Sequence, residues 1–186
     1  MKLSVAILLI ASFLLFSCNT PSHFEKEFNC SSGNSNVLKN LEENQDVKKT
    51  FSIQLPKHWK INLFFDEKQS SVYAADTTKQ LTETTLLDVT SIRQKYTFNK
   101  NFEKRLKIND ANQGLTNTSS QPVQFLNKEA YYAISTGKKG KFSYKIFNLF
   151  INSDNNSFHI KTEVYGDSLV DQRFCKALTL IKSIKI

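Results

Sequence analysis

The chain has 186 residues, of which 40% are hydrophobic, and its formal net charge is +8. This length fits one domain with an extension and argues against several independent domains. With five glycines and no glycine-rich motif, the sequence disfavours a phosphate-binding loop. The lysines are scattered along the chain, so the positive charge does not predict a nucleic-acid partner.

The first eighteen residues have the order of an export signal. Lys2 precedes an apolar run from Val5 to Phe16, which is shorter than the roughly 20 apolar residues that span a bilayer. The run ends in Leu15-Phe16-Ser17-Cys18, which resembles the lipobox of bacterial lipoproteins. That resemblance implies a signal peptide over residues 1–17 and a lipid on the sulfur of Cys18, at a membrane of the bacterial envelope and preferentially the outer membrane. The alternative is an ordinary signal peptide with a coincidental cysteine.

Residues 18–49 are rich in polar side chains, with a run of serine, glycine and asparagine over residues 31–36. Such a composition buries too little apolar surface to fold by itself. We therefore expect a flexible tether that holds a folded domain clear of the bilayer.

The folded domain is expected to span residues 50–186 and to open with strands. Phe51, Ile53 and Leu55 alternate with polar residues, and Pro56 ends this strand because it cannot donate a ladder hydrogen bond. Further strands are predicted at 59–65, 71–76 and 85–94. The last of these carries apolar residues on both faces, which predicts a sheet that is covered on both sides.

The period changes to that of a helix between Asn99 and Asn112. Phe98, Phe102 and Leu106 recur at four-residue steps, Asn99 is a suitable N-cap, and Gly114 follows as a C-terminal glycine. Extended segments are then predicted at 115–123, 125–134, 142–152 and 158–165. A closing helix is predicted from Leu169 to about Lys182, with Asp167 or Ser168 as its cap.

Two reversals are predicted among the later strands. One lies near Asn127-Lys128, and the other spans Gly137-Lys138-Lys139-Gly140, where both glycines are free to adopt positive φ. Lys138, Lys139 and Lys141 cluster at the second reversal and are the candidate anion contact. The alternative is a charged turn that serves only solubility.

The opening segment Phe51-Ser52-Ile53-Gln54-Leu55-Pro56-Lys57-His58-Trp59 and the apolar tail Ile181–Ile186 are similar to those of PsbP-like domains, which include bacterial lipoproteins of the DcrB type. The resemblance implies an α+β fold, mainly an antiparallel sheet with helices packed on its faces in an α/β/α sandwich. It also places Trp59 in the core, at the corner after Pro56. The fold carries no shared activity and therefore implies none here.

Two cysteines remain after Cys18, and neither belongs to a closely spaced pair typical of redox or zinc sites. In an exported chain an even number of remaining cysteines favours a disulfide, here between Cys30 and Cys175. The alternative is a buried free thiol at Cys175 with Cys30 loose in the tether.

No recognisable catalytic, metal or cofactor motif is present, and the three histidines lie far apart. The leading hypothesis is therefore a non-catalytic binding or accessory domain, monomeric and anchored to the membrane, with an envelope protein as its possible partner. A rival hypothesis is a hydrolase that assembles its site from scattered residues such as Asp66, Glu67 or His159. A third is a module that contacts anions or lipid headgroups.

Overall fold

The computed structural model describes residue 26, residues 28–30 and residues 38–186. The predicted signal peptide and Cys18 lie outside these residues. The described strands are β1 (Leu41–Gln45), β2 (Ser52–Pro56), β3 (Lys60–Phe65), β4 (Gln69–Ala75), β5 (Leu86–Ile92), β6 (Leu115–Phe125), β7 (Lys128–Lys139), β8 (Phe142–Asn152) and β9 (Ser157–Tyr165). The described helices are α1 (Lys100–Asn112) and α2 (Val170–Ile181).

Seven antiparallel strands form one sheet in the order β3-β4-β5-β9-β8-β7-β6, and β1 pairs with β2 in a separate hairpin. The hairpin and α2 cover one face of the sheet, which we call the inner face, and α1 packs on the opposite, outer face. This arrangement confirms the predicted α+β fold with helices on both faces of an antiparallel sheet.

The inner face is built by strict alternation along the strands. Val72, Val89, Ile160 and Leu149 are directly opposed across β4, β5, β9 and β8, and each is at most 1% exposed. Because side chains of a strand alternate between its faces, one such row sets the facing of each strand it crosses. The register therefore follows from the apolar pattern.

The corner between β2 and β3 is a tight turn closed by one hydrogen bond. The backbone N–H of Trp59 donates to the Pro56 carbonyl over 2.9 Å. The Trp59 side chain is 5% exposed. The prediction that Trp59 is buried at this corner is confirmed.

The predicted boundary between tether and domain at Thr50 is wrong. Residues 41–45 form β1, and Phe28 is fully buried, with its ring stacked on Phe174 at a centroid distance of 4.4 Å. The sequence of β1 has no apolar alternation because this strand is an edge of the hairpin and most of its side chains face water. Asp46 then holds the turn, since its carboxylate accepts the N–H groups of Thr50 and Phe51.

The predicted disulfide between Cys30 and Cys175 is confirmed in this structure. The two Cα atoms are 5.5 Å apart, within the usual range for a disulfide. The bond fixes the segment that carries Phe28 to the first half of α2. It therefore explains how an early, isolated aromatic residue stays packed in the core.

Two details of the predicted turns and caps differ from the structure. Gly137 lies inside β7 and only Gly140 takes a positive φ, of 61°. Gly137 is needed for a different reason, because a Cβ at this position would lie 2.4 Å from the Gly114 carbonyl oxygen. Neither Asp167 nor Ser168 caps α2, whose N-cap is Leu169 with a left-handed φ of 50°.

Asn99 caps α1 as predicted, and its side-chain oxygen accepts the N–H groups of Asn101 and Phe102 at 3.0 Å. The cap starts the helix at the point where Phe102 enters the outer-face cluster with Tyr131 and Phe150. Asn99 therefore fixes which turn of α1 meets the sheet.

We predict that the free energy of unfolding of the double variant Cys30→Ser/Cys175→Ser is about 2–4 kcal/mol lower than that of the parent chain. The crosslink closes a loop of 145 residues and so restricts the unfolded chain. Urea denaturation measures the difference. Reductant should destabilise the parent protein and leave the double variant unchanged, and non-reducing peptide mapping should recover the crosslinked peptide. Two free thiols in protein isolated without reductant would contradict the assignment.

Candidate functional site

One concave site of the described structure lies at the start of α2, and we call it the Trp59 cleft. It has a volume of about 400 Å³ and is bounded by Trp59 in the corner before β3, by the β4–β5 connection and by the first turns of α2. Its lining combines Trp59 and Leu169 with three cationic side chains, Lys79, Arg173 and Lys176, and two acidic ones, Asp76 and Glu83.

Trp59 forms the apolar wall of this cleft. Its indole is 5% exposed, and among the described residues its Nε1 has no hydrogen-bond partner. Lys176 places its Nζ atom 5.8 Å from the centroid of the Trp59 ring, within the range of a cation–π contact. One side of the cleft therefore combines a rigid aromatic surface with a positive charge.

Arg173 holds α2 against the β4–β5 connection and the end of β9. Its guanidinium donates to the Thr84 carbonyl at 2.9 Å and to the Tyr165 carbonyl at 3.0 Å, and the side chain is 7% exposed. Burial lowers the pKa of Arg173, while the charges of Asp167 and Glu83 act in the opposite direction. Since two backbone carbonyls hold the guanidinium, its charge is fixed in place beside the cleft.

The N-terminus of α2 opens into the same cleft without a side-chain cap. Leu169 is 62% exposed and makes no capping hydrogen bond, so the first N–H groups of the helix have no side-chain acceptor at the N-cap. The positive end of the helix dipole adds to the charges of Lys79 and Lys176, and Asp171 in the first turn of α2 offsets part of it.

Asp76 lies on the opposite wall and is already engaged by its own loop. Its carboxylate accepts from the Thr78 hydroxyl at 2.6 Å and from the Thr78 N–H at 3.1 Å, and His58 Nε2 lies 3.5 Å away. Burial raises the pKa of Asp76, but the bonds from Thr78 outweigh it and the net pKa lies below the ordinary value. The carboxylate is therefore a structural anion of the β4–β5 connection.

A second polar cluster lies on the outer face of the sheet. Glu163 accepts hydrogen bonds from Lys161 at 2.6 Å, Tyr144 at 2.6 Å and Tyr165 at 3.1 Å. Burial raises the pKa of Glu163, but the bonds from Lys161 and Tyr144 outweigh it and lower the net pKa. Burial, above all, raises the pKa of the neighbouring Asp88. Three internal donors serve the Glu163 carboxylate, so this cluster stabilises the sheet.

The proposed anion contact at the β7–β8 turn is partly engaged with the sheet. Lys139 donates to the Tyr165 hydroxyl at 3.3 Å and lies 5.3 Å from the centroid of the Tyr144 ring. Lys141 lies over the ring of Phe142, and Lys138 is exposed. Anion binding by these three lysines stays a prediction.

The structure does not bring together the residues suggested for a hydrolase. Asp66 and Glu67 lie in the β3–β4 turn at one edge of the sheet, where Asp66 accepts the N–H groups of Lys68 and Gln69. His159 lies in the central strand β9, stacked on Phe150 at a centroid distance of 4.5 Å, and its Nε2 lies 2.9 Å from the Asn148 side-chain oxygen. The strands β4 and β5 separate the two positions.

Sequence reasoning did not identify the Trp59 cleft. Trp59 and the closing helix were each located, but the cleft depends on residues about a hundred positions apart. The available signal was the turn-rich segment 76–85, whose polar residues face the start of α2.

No protein-family model and no curated protein matches this chain. Solved structures do share its fold. The cyanobacterial PsbP protein CyanoP from Synechocystis sp. PCC 6803 is 13% identical, with a TM-score of 0.61 over 84% of this chain and 97% of its own. The Saccharomyces cerevisiae Ran-binding protein Mog1p is 9% identical, with a TM-score of 0.53 over 79% of this chain and 95% of its own.

A Bacteroides thetaiotaomicron protein is 15% identical, with a TM-score of 0.52 over 78% of this chain and 48% of its own. At such identities the likeness shows the fold alone, and it confirms the PsbP-like architecture. In the described ranges no three side chains of histidine, cysteine, aspartate or glutamate gather as a metal site. Neither described helix is long and apolar enough to cross a membrane.

We predict that His159 titrates with a pKa of about 4, because burial, and to a lesser degree the charge of Lys161, lowers its pKa. An unfolded histidine titrates near pH 6.5. Unfolding therefore takes up a proton between pH 6.5 and about 4, and the free energy of unfolding falls as the pH is lowered through this window.

An NMR titration of the ring protons measures the pKa directly. The variant His159→Gln should lose less stability than the parent between pH 6.5 and 4.5. A His159 midpoint near pH 6.5 would show that the ring is hydrated and the assignment of its environment wrong.

Proposed function

We propose that this chain is a lipid-anchored, non-catalytic binding domain of the bacterial cell envelope, and that its ligand binds in the Trp59 cleft. The observation that carries the proposal is the cleft itself, in which a rigid aromatic wall meets positive charges and an uncapped helix N-terminus. Such a cleft can select a ligand by the fit of its apolar part against the aromatic wall and by the charge of its polar group.

The chemistry of the cleft favours a ligand with an apolar body and an acidic group. Trp59 and Leu169 offer the apolar surface, while Lys79, Lys176 and the start of α2 favour a carboxylate or phosphate. Arg173 keeps the walls in place, which reduces the entropy lost on binding.

The resemblance of Leu15-Phe16-Ser17-Cys18 to a lipobox supports the anchor. Phe28 is fixed in the core and follows Cys18 by ten residues, so the extended chain between them reaches at most about 35 Å. A lipid on Cys18 would hold the domain within that distance of the bilayer surface. The tether is then shorter than the sequence alone suggests.

The fold is compatible with a binding role. The yeast neighbour is a Ran-binding protein, so this architecture serves elsewhere as a protein that binds a partner. The hydrolase alternative has no comparable support, because Asp66 and Glu67 lie far from His159 in the sheet order.

We expect the mature protein to begin at a lipidated Cys18. Mass spectrometry of protein extracted from membranes should find the N-terminal peptide with acyl groups on its cysteine. The variant Cys18→Ser should be recovered with an uncleaved or unlipidated N-terminus, because the acylated sulfur is gone. A matched Ser17→Ala variant keeps the cysteine and should stay lipidated. An unmodified peptide that runs through Ser17 and Cys18 would contradict the anchor.

The cleft can be tested by the fluorescence of Trp59, the only tryptophan of the chain. Octanoate should change the emission, and octanol, which has the same apolar body without the acid, should bind more weakly. Lys176→Gln should weaken octanoate binding about fivefold, as expected for the loss of roughly 1 kcal/mol of charge interaction. Lys138→Gln, at an exposed position on the β7–β8 turn, is the matched control. Equal binding of octanoate by both variants, or no change in emission, would refute the proposed site.

A further inference from the structure

The β3 edge, which we define as the free side of residues 60–66, is open for strand pairing. Within the described chain β3 pairs only with β4. The N–H of Asp66 donates to the Gln69 carbonyl, so the hydrogen-bonded pairs of this hairpin involve the even-numbered residues of β3. The backbone groups of Ile61, Leu63 and Phe65 therefore point away from the sheet.

Three consecutive side chains of this edge are apolar and exposed. Leu63 is 46% exposed, Phe64 57% and Phe65 64%, and no charged residue lies between Lys60 and Asp66. Natural edge strands are usually protected by charges, prolines or bulges, because free backbone groups recruit other strands.

The opposite edge of the same sheet shows such protection. Strand β6 carries Pro122, and its register with β7 shifts between Asn117 and Ser119. The contrast within one sheet indicates that the β3 edge is left open for a partner.

The charges at the two ends of the strand point to the partner. Lys60 stands at the beginning of β3 and Asp66 directly follows its end, so the edge is complementary to itself in the antiparallel direction. We propose that the β3 edge pairs with the β3 edge of a second copy of this chain, which joins the two seven-stranded sheets. The partner is then a copy of this chain, in place of the monomer expected from the sequence.

The backbone geometry selects one register. Residues whose backbone N–H and C=O groups point away from the sheet must face residues of the same kind in the second copy. In the register that we propose, Leu63 lies opposite Leu63 of the second copy, Ile61 lies opposite Phe65, and Lys60 lies opposite Asp66. A shift of two residues in one direction would place Lys60 opposite Lys68, and a shift in the other direction would place it opposite Phe64. Only the register centred on Leu63 combines the two Lys60–Asp66 pairs with the apolar pairs Leu63–Leu63 and Ile61–Phe65.

Cysteine crosslinking of the full-length chain in its own membranes tests both the partner and the register. In this register the two Cα atoms of residue 63 are about 5.5 Å apart, which suits a disulfide. Leu63→Cys should therefore give a covalent homodimer under mild oxidation. Ile108→Cys, on the exposed side of α1, should give none.

The register has its own test. Lys60→Cys alone and Asp66→Cys alone should not crosslink, because six residues at about 3.3 Å each separate the like positions by roughly 20 Å. Co-expression of the two variants should give a mixed dimer. Adding Phe65→Lys to the Leu63→Cys chain should reduce its crosslinking at least fivefold, because it introduces a charge into the apolar pair.

Three outcomes would overturn the proposal. One is the absence of a Leu63→Cys dimer although a maleimide labels the thiol. Another is equal crosslinking of Ile108→Cys, which indicates random collision. The third is a crosslink to a different protein, which would make the edge a docking strand for that protein. The substituted residues do not line the Trp59 cleft, so the ligand-binding test of the cleft stays separate.

Discussion

The whole structure depends on the covering of the inner face of the sheet. Its rows of valine, leucine, isoleucine and phenylalanine exclude water only when α2 and the β1–β2 hairpin lie on them. Helix α2 is fixed there by three neighbouring residues of different chemistry: Arg173 bonds two backbone carbonyls, Phe174 packs in the core, and Cys175 forms the disulfide. These contacts set both the position and the rotation of the helix.

The Trp59 cleft is a consequence of that fixation. Arg173 draws the start of α2 toward the β4–β5 connection, and Leu169 turns the chain sharply enough to leave the N-terminus of the helix facing Trp59. The strained, exposed Leu169 is unusual, because an asparagine or glycine is the ordinary choice for a left-handed conformation. Leu126, in the turn between β6 and β7, has the same left-handed conformation with a φ of 51°, so in this fold it occurs at tight reversals of the chain.

The sheet distributes its polar and apolar surfaces unevenly. The outer face carries α1 over Tyr131 and Phe150 at one side, and toward β5 and β9 it carries the network around Glu163. The carboxylate there is paired with Lys161 and accepts hydrogen bonds from two tyrosine hydroxyls, so the charge is retained inside the fold. The two surfaces that we propose for partners are the cleft at α2 and the apolar β3 edge, and Trp59 at the wall of the cleft directly precedes β3.

The sequence by itself determined the elements whose periodicity is strong. The predictions that the structure confirms are the strand with Phe51, Ile53 and Leu55, the helix capped by Asn99, the burial of Trp59 and the disulfide between Cys30 and Cys175. They could be made because apolar alternation and capping residues are local features of the sequence, and because the number of cysteines can be read from it. Only the tertiary structure decided that β1 and Phe28 belong to the domain, since a polar edge strand and an isolated aromatic residue are recognised only by their partners, β2 and Phe174. For the same reason the Trp59 cleft and the open β3 edge could not be predicted: each is defined by which distant residues approach it or leave it free.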